Sequence, residues 1–367
     1  FSGRLVSQIG DGIHYFAMAW LVLDLTSSGT ALGTLLMVST LPVILLAPFS
    51  GVLADAWNRK KIIVAMDIIR GFLILALAAI YALGRLTMPM LYAVTIMLSL
   101  CSVLFNPAIM ASIPSLVKRE ELVRANARDT FSQSATGILG PVTGALLLAG
   151  FGFQGIFLIN GISFLLSAVS ELFIHFPPQK KMAEREDADL KLNFTDSIKS
   201  GFRYLWQNPG LRVLMAGAII LNFIFSPLFG VVFPYFGKEV LSLSPQFYGF
   251  SQSSFPVGML LGTVIVSWMV TRFNKVRLMV KAVAADGLLV MMLGLLALPA
   301  AYPELSAFRA LIAFSLPLFL IGLTLVQVNV PINVMMQETV PEDYRGRIFS
   351  LLGSISGLAA PLGMGLF

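Results

Sequence analysis

Eleven apolar segments, each of about twenty residues and separated by short polar punctuation, leave this chain few folds to choose from. They run Leu5–Leu25, Ala31–Ala54, Ile62–Leu83, Met90–Val117, Arg128–Ala149, Gly155–Phe176, Leu211–Phe236, Tyr248–Val270, Leu278–Leu298, Leu311–Met336 and Ile348–Phe367. A hydrocarbon core about 30 Å thick is crossed by about 20 helical residues. Backbone polar groups in lipid must be satisfied inside the segment, so each run is predicted to be a membrane-spanning helix. Hydrophobic residues make up 57% of the chain and charged ones 12%, with a mean hydropathy of +0.85. That balance excludes a soluble globular domain. The chain stops at Phe367 inside an apolar run, which leads one to expect a twelfth span beyond it. No cleavable signal peptide is expected, because the first run lacks a small-residue cleavage site and feeds straight into a second span.

Loop charge sets the expected orientation, since Lys and Arg gather on the cytoplasmic side of a membrane. Of 25 such residues, only Arg85, Lys238 and Arg309 fall in odd-numbered loops, and Arg70 lies within a helix. The others, among them Arg59, Lys60, Lys61, Lys118, Arg119, Lys180, Lys181, Arg272, Lys275, Arg277, Arg345 and Arg347, lie at the amino terminus or in and beside the even loops. A cytoplasmic amino terminus follows. The net charge of +6 reflects this bias and contact with anionic lipid, and nucleic acid is not an expected partner.

One long polar stretch, Pro177 to Pro209, divides the chain. The expected domains are 1–176, an amino-terminal six-helix bundle; 177–209, a cytoplasmic linker; and 210–367, a truncated carboxy-terminal bundle. Within the linker Phe194, Ile198, Phe202, Leu205 and Trp206 recur at helical spacing with Lys199 and Arg203 opposite. This predicts an amphipathic helix lying on the membrane surface, with a plain solvated connector as the alternative. The two sides of the linker echo each other. Asn106-Pro with Lys118-Arg119 resembles Asn329-Val-Pro331 with Arg345-Gly-Arg347, and Ala56-Trp-Asn-Arg59 resembles Arg272-Phe-Asn-Lys275. Such repeats underlie many transporters.

The turn after the second span reads Gly51-Val-Leu53-Ala-Asp55-Ala-Trp-Asn-Arg59-Lys60. It resembles the Gly-x-Leu-Ala-Asp-Arg-x-Gly-Arg-Lys signature of the major facilitator superfamily, with Ala56 in place of the first Arg and Asn58 in place of the second Gly. Asn58 is expected to tolerate the left-handed turn a Gly would make. Gly51 would let two helices approach closely, and Asp55 would latch the cytoplasmic gate by pairing with a basic residue or a helix N-terminus; the same charges can also simply terminate a helix and hold topology. Gly137-Ile-Leu-Gly140-Pro141-Val-Thr-Gly144-Ala145 in the fifth span is similar to the Gly-Pro motif of the exporter branches, with Ala145 where a final Gly is usual. It can serve a bend at the interface between halves or plain small-residue packing. Within the superfamily the chain resembles the branch of bacterial macrolide and siderophore exporters over its whole length. That resemblance implies an all-α polytopic fold of two pseudo-symmetric six-helix bundles. The family's Arg on the fourth span is absent between Met90 and Val117, so a proton relay built on it is not implied.

Ionisable groups at membrane depth cost a few kcal/mol or more and are functional suspects. Asp11 and His14 lie three apart on the first helix, and Gly10 and Gly12 leave room for a partner there. By resemblance the first helix lines the central cavity, so this pair is the leading proton-coupling candidate; Asp11 could instead serve as a cap or pair toward Arg4. Asp286 and Glu171 complete the candidates, with Glu171 and His175 read as mostly interfacial. Asp67 and Arg70 are read as a structural pair, and Glu338 as a partner of Arg345 or Arg347. For substrate, Tyr15, Trp20, Asn222, Phe223, Phe225, Gln327, Asn329 and Asn333 offer amides and aromatic rings suited to an amphipathic organic molecule, or serve as interhelical contacts. Prolines 107, 114, 227, 234, 317 and 331 fit hinge-capable helices.

The lone Cys101 excludes intrachain disulfides and cysteine metal sites, and two distant histidines make no metal cluster. No Gly-x-x-x-x-Gly-Lys loop is present to bind ATP, and no nucleophilic triad points to an enzyme. No metal or other cofactor is expected, and a proton gradient is the expected energy source. The expectation is a monomeric, multi-pass protein of the bacterial inner (cytoplasmic) membrane, in contact with lipid, that exports a small amphipathic molecule by proton antiport and alternating access. A lipid or lysolipid flippase, a nutrient importer, and a non-transporting receptor or scaffold are the alternatives.

Overall fold

The computed structural model describes residues 2–116, 122–174, 202–296, 298, 306–340 and 342–366, with side chains left aside at 2–7, 47–49, 51–56, 111, 113–116, 122–130, 337, 342–347 and 349–350. It is helical throughout, with no strand among the described residues. The helices are α1 (Ser2–Thr26), α2 (Gly29–Ala56), α3 (Arg59–Ala82), α4 (Met88–Leu116), α5 (Leu122–Leu172), α6 (Pro209–Pro227), α7 (Pro245–Arg272), α8 (Lys275–Leu295), α9 (Ala307–Thr339) and α10 (Glu342–Leu366). Eight helical stretches are long and apolar enough to cross a membrane among the described residues, and one of these, Phe131–Leu172, is 42 residues long. The chain reverses inside it at Gly152, whose φ of 63° and ψ of −175° are open essentially to glycine alone. α5 thus carries two of the predicted spans, and the eleven predicted segments all fall on helix to within a few residues of their ends.

Helix starts are written in local chemistry. Asn58, Ser244, Asn274 and Ser306 each accept a hydrogen bond from the backbone N–H three residues on, the N-cap arrangement that satisfies an otherwise orphaned donor. Pro209 and Pro245 open their helices, where a missing N–H costs nothing. Asn58 has φ −65° and ψ 110°. The left-handed turn expected of it is therefore not made, and Asn stands there as a cap. Asn274 repeats the device with φ −64° and ψ 122°. A lysine in the first turn after each cap then reaches the end of a neighbouring helix. Lys60 donates to the carbonyls of Leu172 and Ile174 at 2.7 and 2.9 Å, and Lys275 pairs with Glu338 at 2.5 Å. The matched caps at Asn58 and Asn274 are what an internal repeat predicts, whereas the two lysines sit one position apart in it and reach different partners.

Packing follows the same division. α5 lies along α1 and α3, and α4 along α2 and α3; past the linker, α9 lies along α7 and α8, and α10 along α6. Two seams join these sets, α5 with α7 and α2 with α10. The α7–α9 contact is made by glycines: a Cβ on Gly262 would sit 2.5 Å from the Leu323 carbonyl oxygen, and Gly258 and Gly322 meet the Phe319 and Phe255 carbonyls. Without a hydrophobic force between helices in lipid, such close backbone approach is what holds them.

The two ends of the molecule are built differently. At the end away from the basic loops, one large core takes in Phe16 and Trp20 of α1, Leu32 and Leu36 of α2, Phe157 of α5, Tyr248 of α7 and Phe314 of α9. At the basic end the described core residues form three smaller clusters. Ile62, Ile63 and Ala108 join α3 to α4; Val266, Leu278 and Val326 join α7, α8 and α9; and Leu211, Met336 and Leu352 gather around α6, α9 and α10.

Candidate functional site

Beneath the large core lies a cavity of about 630 Å³ between the two helix sets. After Pro227, α6 loosens into a π turn, Leu228–Val232, and after Pro234 into a second, Phe236–Val240. A proline removes one ladder hydrogen bond, and π turns are a common way for a helix to absorb the loss. The stretch lines the cavity with Phe225, Phe229 and Phe233, successive rings one turn apart. Phe229 meets Phe255 of α7 at a centroid distance of 4.2 Å and stands edge-on to Phe233 at 5.1 Å. Tyr15, Thr136, Asn222, Ser226, Gln252 and Asn329 supply the polar part, and no charged side chain stands among the described lining residues. Gln252 Oε1 and Thr136 Oγ1 are buried without a hydrogen-bond partner. The wall is thus an aromatic surface with a few unspent polar groups, the usual make-up of a site for a largely apolar organic molecule.

Stacked rings close the far side. Trp20 packs on Phe16 and Tyr248 at centroid distances of 6.0 and 5.4 Å, and Tyr248 continues to Phe314 at 6.2 Å. Lys238 caps the stack, 5.4 Å above the Trp20 ring and 3.1 Å from Asp24. α1, α6, α7 and α9 therefore meet in one plug.

The fifth-span motif sits where α5 touches both α1 and α7. A Cβ on Gly140 would lie 3.0 Å from Gly12 Cα, and one on Gly144 would lie 3.1 Å from the Phe16 ring. On the other side a Cβ on Gly249 would come within 2.6 Å of both the Pro141 carbonyl oxygen and Ala145 Cβ, Gly137 faces Pro256, and Ser253 donates to the Ile138 carbonyl at 2.6 Å. The small residues let α5 slide in between a helix of its own set and one of the other.

Asp11 opens onto two smaller chambers inside the first helix set, about 210 and 140 Å³. The larger also holds His14, Tyr15, Arg70 and Thr95; the smaller holds Gln8, Arg70, Ser102, Asn106 and Glu171. Gly10 faces Asn160 and Gly12 faces Gly140, so both limbs of α5 occupy the room these glycines leave. His14 Nδ1 is buried without a partner, its ring 6.0 Å from that of Phe157. Arg70 is buried, 3.5 Å from Asp67 and 2.8 Å from the Ser102 hydroxyl, with its guanidinium 4.4 Å over the Phe105 ring. Asp286 lies apart on α8, fully buried; its Oδ1 is hydrogen-bonded to the Thr324 hydroxyl and its Oδ2 has no partner.

The sequence-derived residues distribute as follows. Tyr15, Asn222, Phe225 and Asn329 line the central cavity together with Gly137 and Pro141. Trp20 is in the plug, while Phe223 and the buried Gln327 lie outside the lining, and Asn333 donates to the Asn329 carbonyl at 3.0 Å. Glu171, expected at the interface, is buried beside Ser167. Glu338 pairs with Lys275, whereas Arg345 and Arg347 lie outside the described side chains. The same holds for Gly51, Leu53 and Asp55 of the signature turn, and His175 and most of the linker helix lie outside the described residues. Phe229, Phe233, Tyr248, Gln252 and Phe255 were not expected. The four-residue spacing of Phe225, Phe229 and Phe233 was the available signal.

These features define a polytopic α-helical membrane transporter: long apolar rods in two packed sets, a chamber between them, and glycine-lined seams. The family model of the Major Facilitator Superfamily matches residues 1–364, and the chain belongs to that superfamily. Among its relatives, macrolide efflux protein A of Streptococcus pyogenes is 26% identical over 371 residues, spanning 99% of this chain and 86% of that protein. The multidrug efflux pump Tap of Mycolicibacterium fortuitum is 24% identical over 371 residues, spanning 98% and 85%. Of solved structures, a bacterial homologue of the iron transporter ferroportin in an inward-facing state superposes with a TM-score of 0.66 at 20% identity, covering 100% of this chain and 90% of that one. This last likeness is one of fold.

Proposed function

We propose that the protein is a secondary active exporter of small, lipophilic or amphipathic organic molecules of the macrolide and drug class, driven by inward proton flow. The observation that carries the reading is the central cavity: its volume of about 630 Å³ falls in the usual range of small-molecule sites, about 300–1,000 Å³, and its described lining is aromatic and uncharged. A site of this make-up recognises its ligand by area and a few hydrogen bonds, which favours breadth over strict selectivity. Polyanionic siderophores fit it less well, since no cation stands among the described residues of the wall. The relatives named for macrolide and multidrug efflux support the direction of transport.

In this reading residues 1–176 and 210–367 are two rocking halves joined by the 177–209 linker, and the protein works as a monomer in the cytoplasmic membrane. The basic end faces the cytoplasm, as loop charge predicts. The plug around Trp20 and Tyr248 then closes the outside, and the cavity loads from within. Asp11, His14, Glu171 and Asp286 are the groups available to carry protons, and Asp55 is the gate acid at the cytoplasmic end. Substrate and proton would each favour a different facing state, and their differential affinity is the coupling free energy.

The test is accumulation of a radiolabelled macrolide in inverted membrane vesicles acidified inside. The expected result is uphill accumulation that collapses on adding a protonophore. Accumulation that is equal with and without the gradient would overturn antiport, and no saturable accumulation of any apolar organic probe would overturn export.

A further inference from the structure

We propose that Glu171, on the second limb of α5, is the proton-carrying group of the first helix set, that it loads from the chamber beneath Asp11, and that this site is separate from the substrate cavity. The inference deepens the antiport reading and rests on it for its role in transport, though not for the protonation itself.

Three observations support it. First, Glu171 is 8% exposed and Asp67 0%, and each keeps one carboxylate oxygen buried without a hydrogen-bond partner. Second, that free Glu171 group borders a real space, the chamber of about 140 Å³ shared with Gln8, Asp11, Arg70 and Ser102, large enough for a few waters. α5 runs toward the basic end here, and helical side chains lean toward their own N-terminus. Glu171 is thus turned inward, up the helix toward Ser167 and Asp67, although the polar linker begins only six residues later. Third, the charges do not balance. The charged groups about Glu171 are Asp67 and Arg70 from α3 and Asp11 from α1, with Lys60 of α3 held on the Leu172 and Ile174 carbonyls just beyond it; His14 of α1 and Cys101 of α4 neighbour Arg70. Arg70 is the one buried cation among the described groups of this set, and it is already engaged by Asp67, Ser102 and the Phe105 ring.

Two buried carboxylates against one guanidinium leave a net negative charge that a low-dielectric interior does not tolerate. One proton on Glu171 restores neutrality, giving an Asp67 carboxylate, an Arg70 guanidinium and a neutral Glu171 acid. Asp11 lines both chambers. It can hand protons inward through chamber water. Loading forms the Glu171 O–H bond at the expense of a hydronium, and unloading returns that proton by the same path. Neither Glu171 nor Arg70 lines the central cavity. Proton and substrate therefore communicate through α1, whose Tyr15 lines the central cavity and the larger chamber and whose Asp11 lines both chambers.

Infrared difference spectroscopy of the full chain in liposomes, stepped between acid and alkaline buffer, reads the site without any substrate. The wild type should show the carbonyl stretch of a neutral carboxylic acid that disappears at alkaline pH; Glu171→Gln should lack that band, and Glu171→Asp should retain it at a shifted frequency. A band unchanged in Glu171→Gln, or absent from the wild type, overturns the assignment. Replacing sodium by potassium, or adding calcium, should leave the band in place; a band abolished by one cation alone would mean that a metal ion occupies the site and would overturn it too. In vesicles, Glu171→Gln should lose uphill macrolide transport while retaining downhill exchange, and uphill transport at the wild-type rate would refute its carrier role. If the wild type itself ignores the pH gradient, the antiport reading fails while the infrared result still decides the site.

Discussion

The two ends of this molecule use the same kinds of residue to opposite effect. At the far end, Phe16, Trp20, Tyr248 and Phe314 merge both helix sets into one core, reinforced by Lys238 on Asp24. At the basic end, the described clusters and the described lysine contacts, Lys60 on the α5 carbonyls and Lys275 on Glu338, each stay within one set. Contacts within a set hold a rigid half together, whereas contacts between sets hold one facing state. The difference teaches which residues govern stability and which govern access.

The strongest way to break this comparison is Trp20→Ala. Truncating a buried tryptophan costs about 3–5 kcal/mol, and here the lost contacts lie mainly between sets. Spin labels at the far ends of α1 and α7 should therefore move apart; unchanged distances would break the distinction. Gly140→Val should do the reverse. Its new Cβ meets Gly12 Cα at 3.0 Å inside one set, and overpacking of about 1–3 kcal/mol should lower the melting temperature in detergent with no change in facing state. Ser253→Ala sharpens the seam itself. It removes the bond to Ile138 across α5 and α7, a loss of about 1 kcal/mol that should appear as faster exchange between states by single-molecule fluorescence. Smallest of all is Asp24→Asn, because its carboxylate is 56% exposed. An effect of at most about 1 kcal/mol on far-end closure should be masked by high salt on the outer side.

Much of the fold was legible because lipid is an unforgiving solvent. Spans such as Ile62–Leu83 and Leu278–Leu298 follow from length and apolarity alone, and the fold lies on the helices predicted. The repeat was visible in Trp57-Asn58-Arg59 and Phe273-Asn274-Lys275, although its physical meaning was not: both asparagines cap a helix, with no left-handed turn at Asn58. The site was harder to see. Phe229 and Phe233 look like lipid-facing residues in a string of letters, and only the π turns after Pro227 and Pro234 show how that stretch of α6 is wound around the cavity. Trp20 has the chemistry of a substrate contact, and its burial in the plug depends on Tyr248 and Lys238, more than two hundred residues away. Glu171 sits beside a polar linker, so sequence alone sends it toward water; its inward orientation depends on the limb of α5 running down from Gly152.

The central proposal, that the cavity is reached from the basic end, facing the cytoplasm, while the far end is plugged, is tested most directly by accessibility of Gln252, whose side chain lines that cavity. Cys101 is the chain's single cysteine and is buried, so Cys101→Ser provides a clean background for Gln252→Cys. A membrane-impermeant maleimide should label this position in inverted vesicles and leave it unlabelled in right-side-out vesicles at rest. Labelling that is equal or faster from the outer side would contradict the account.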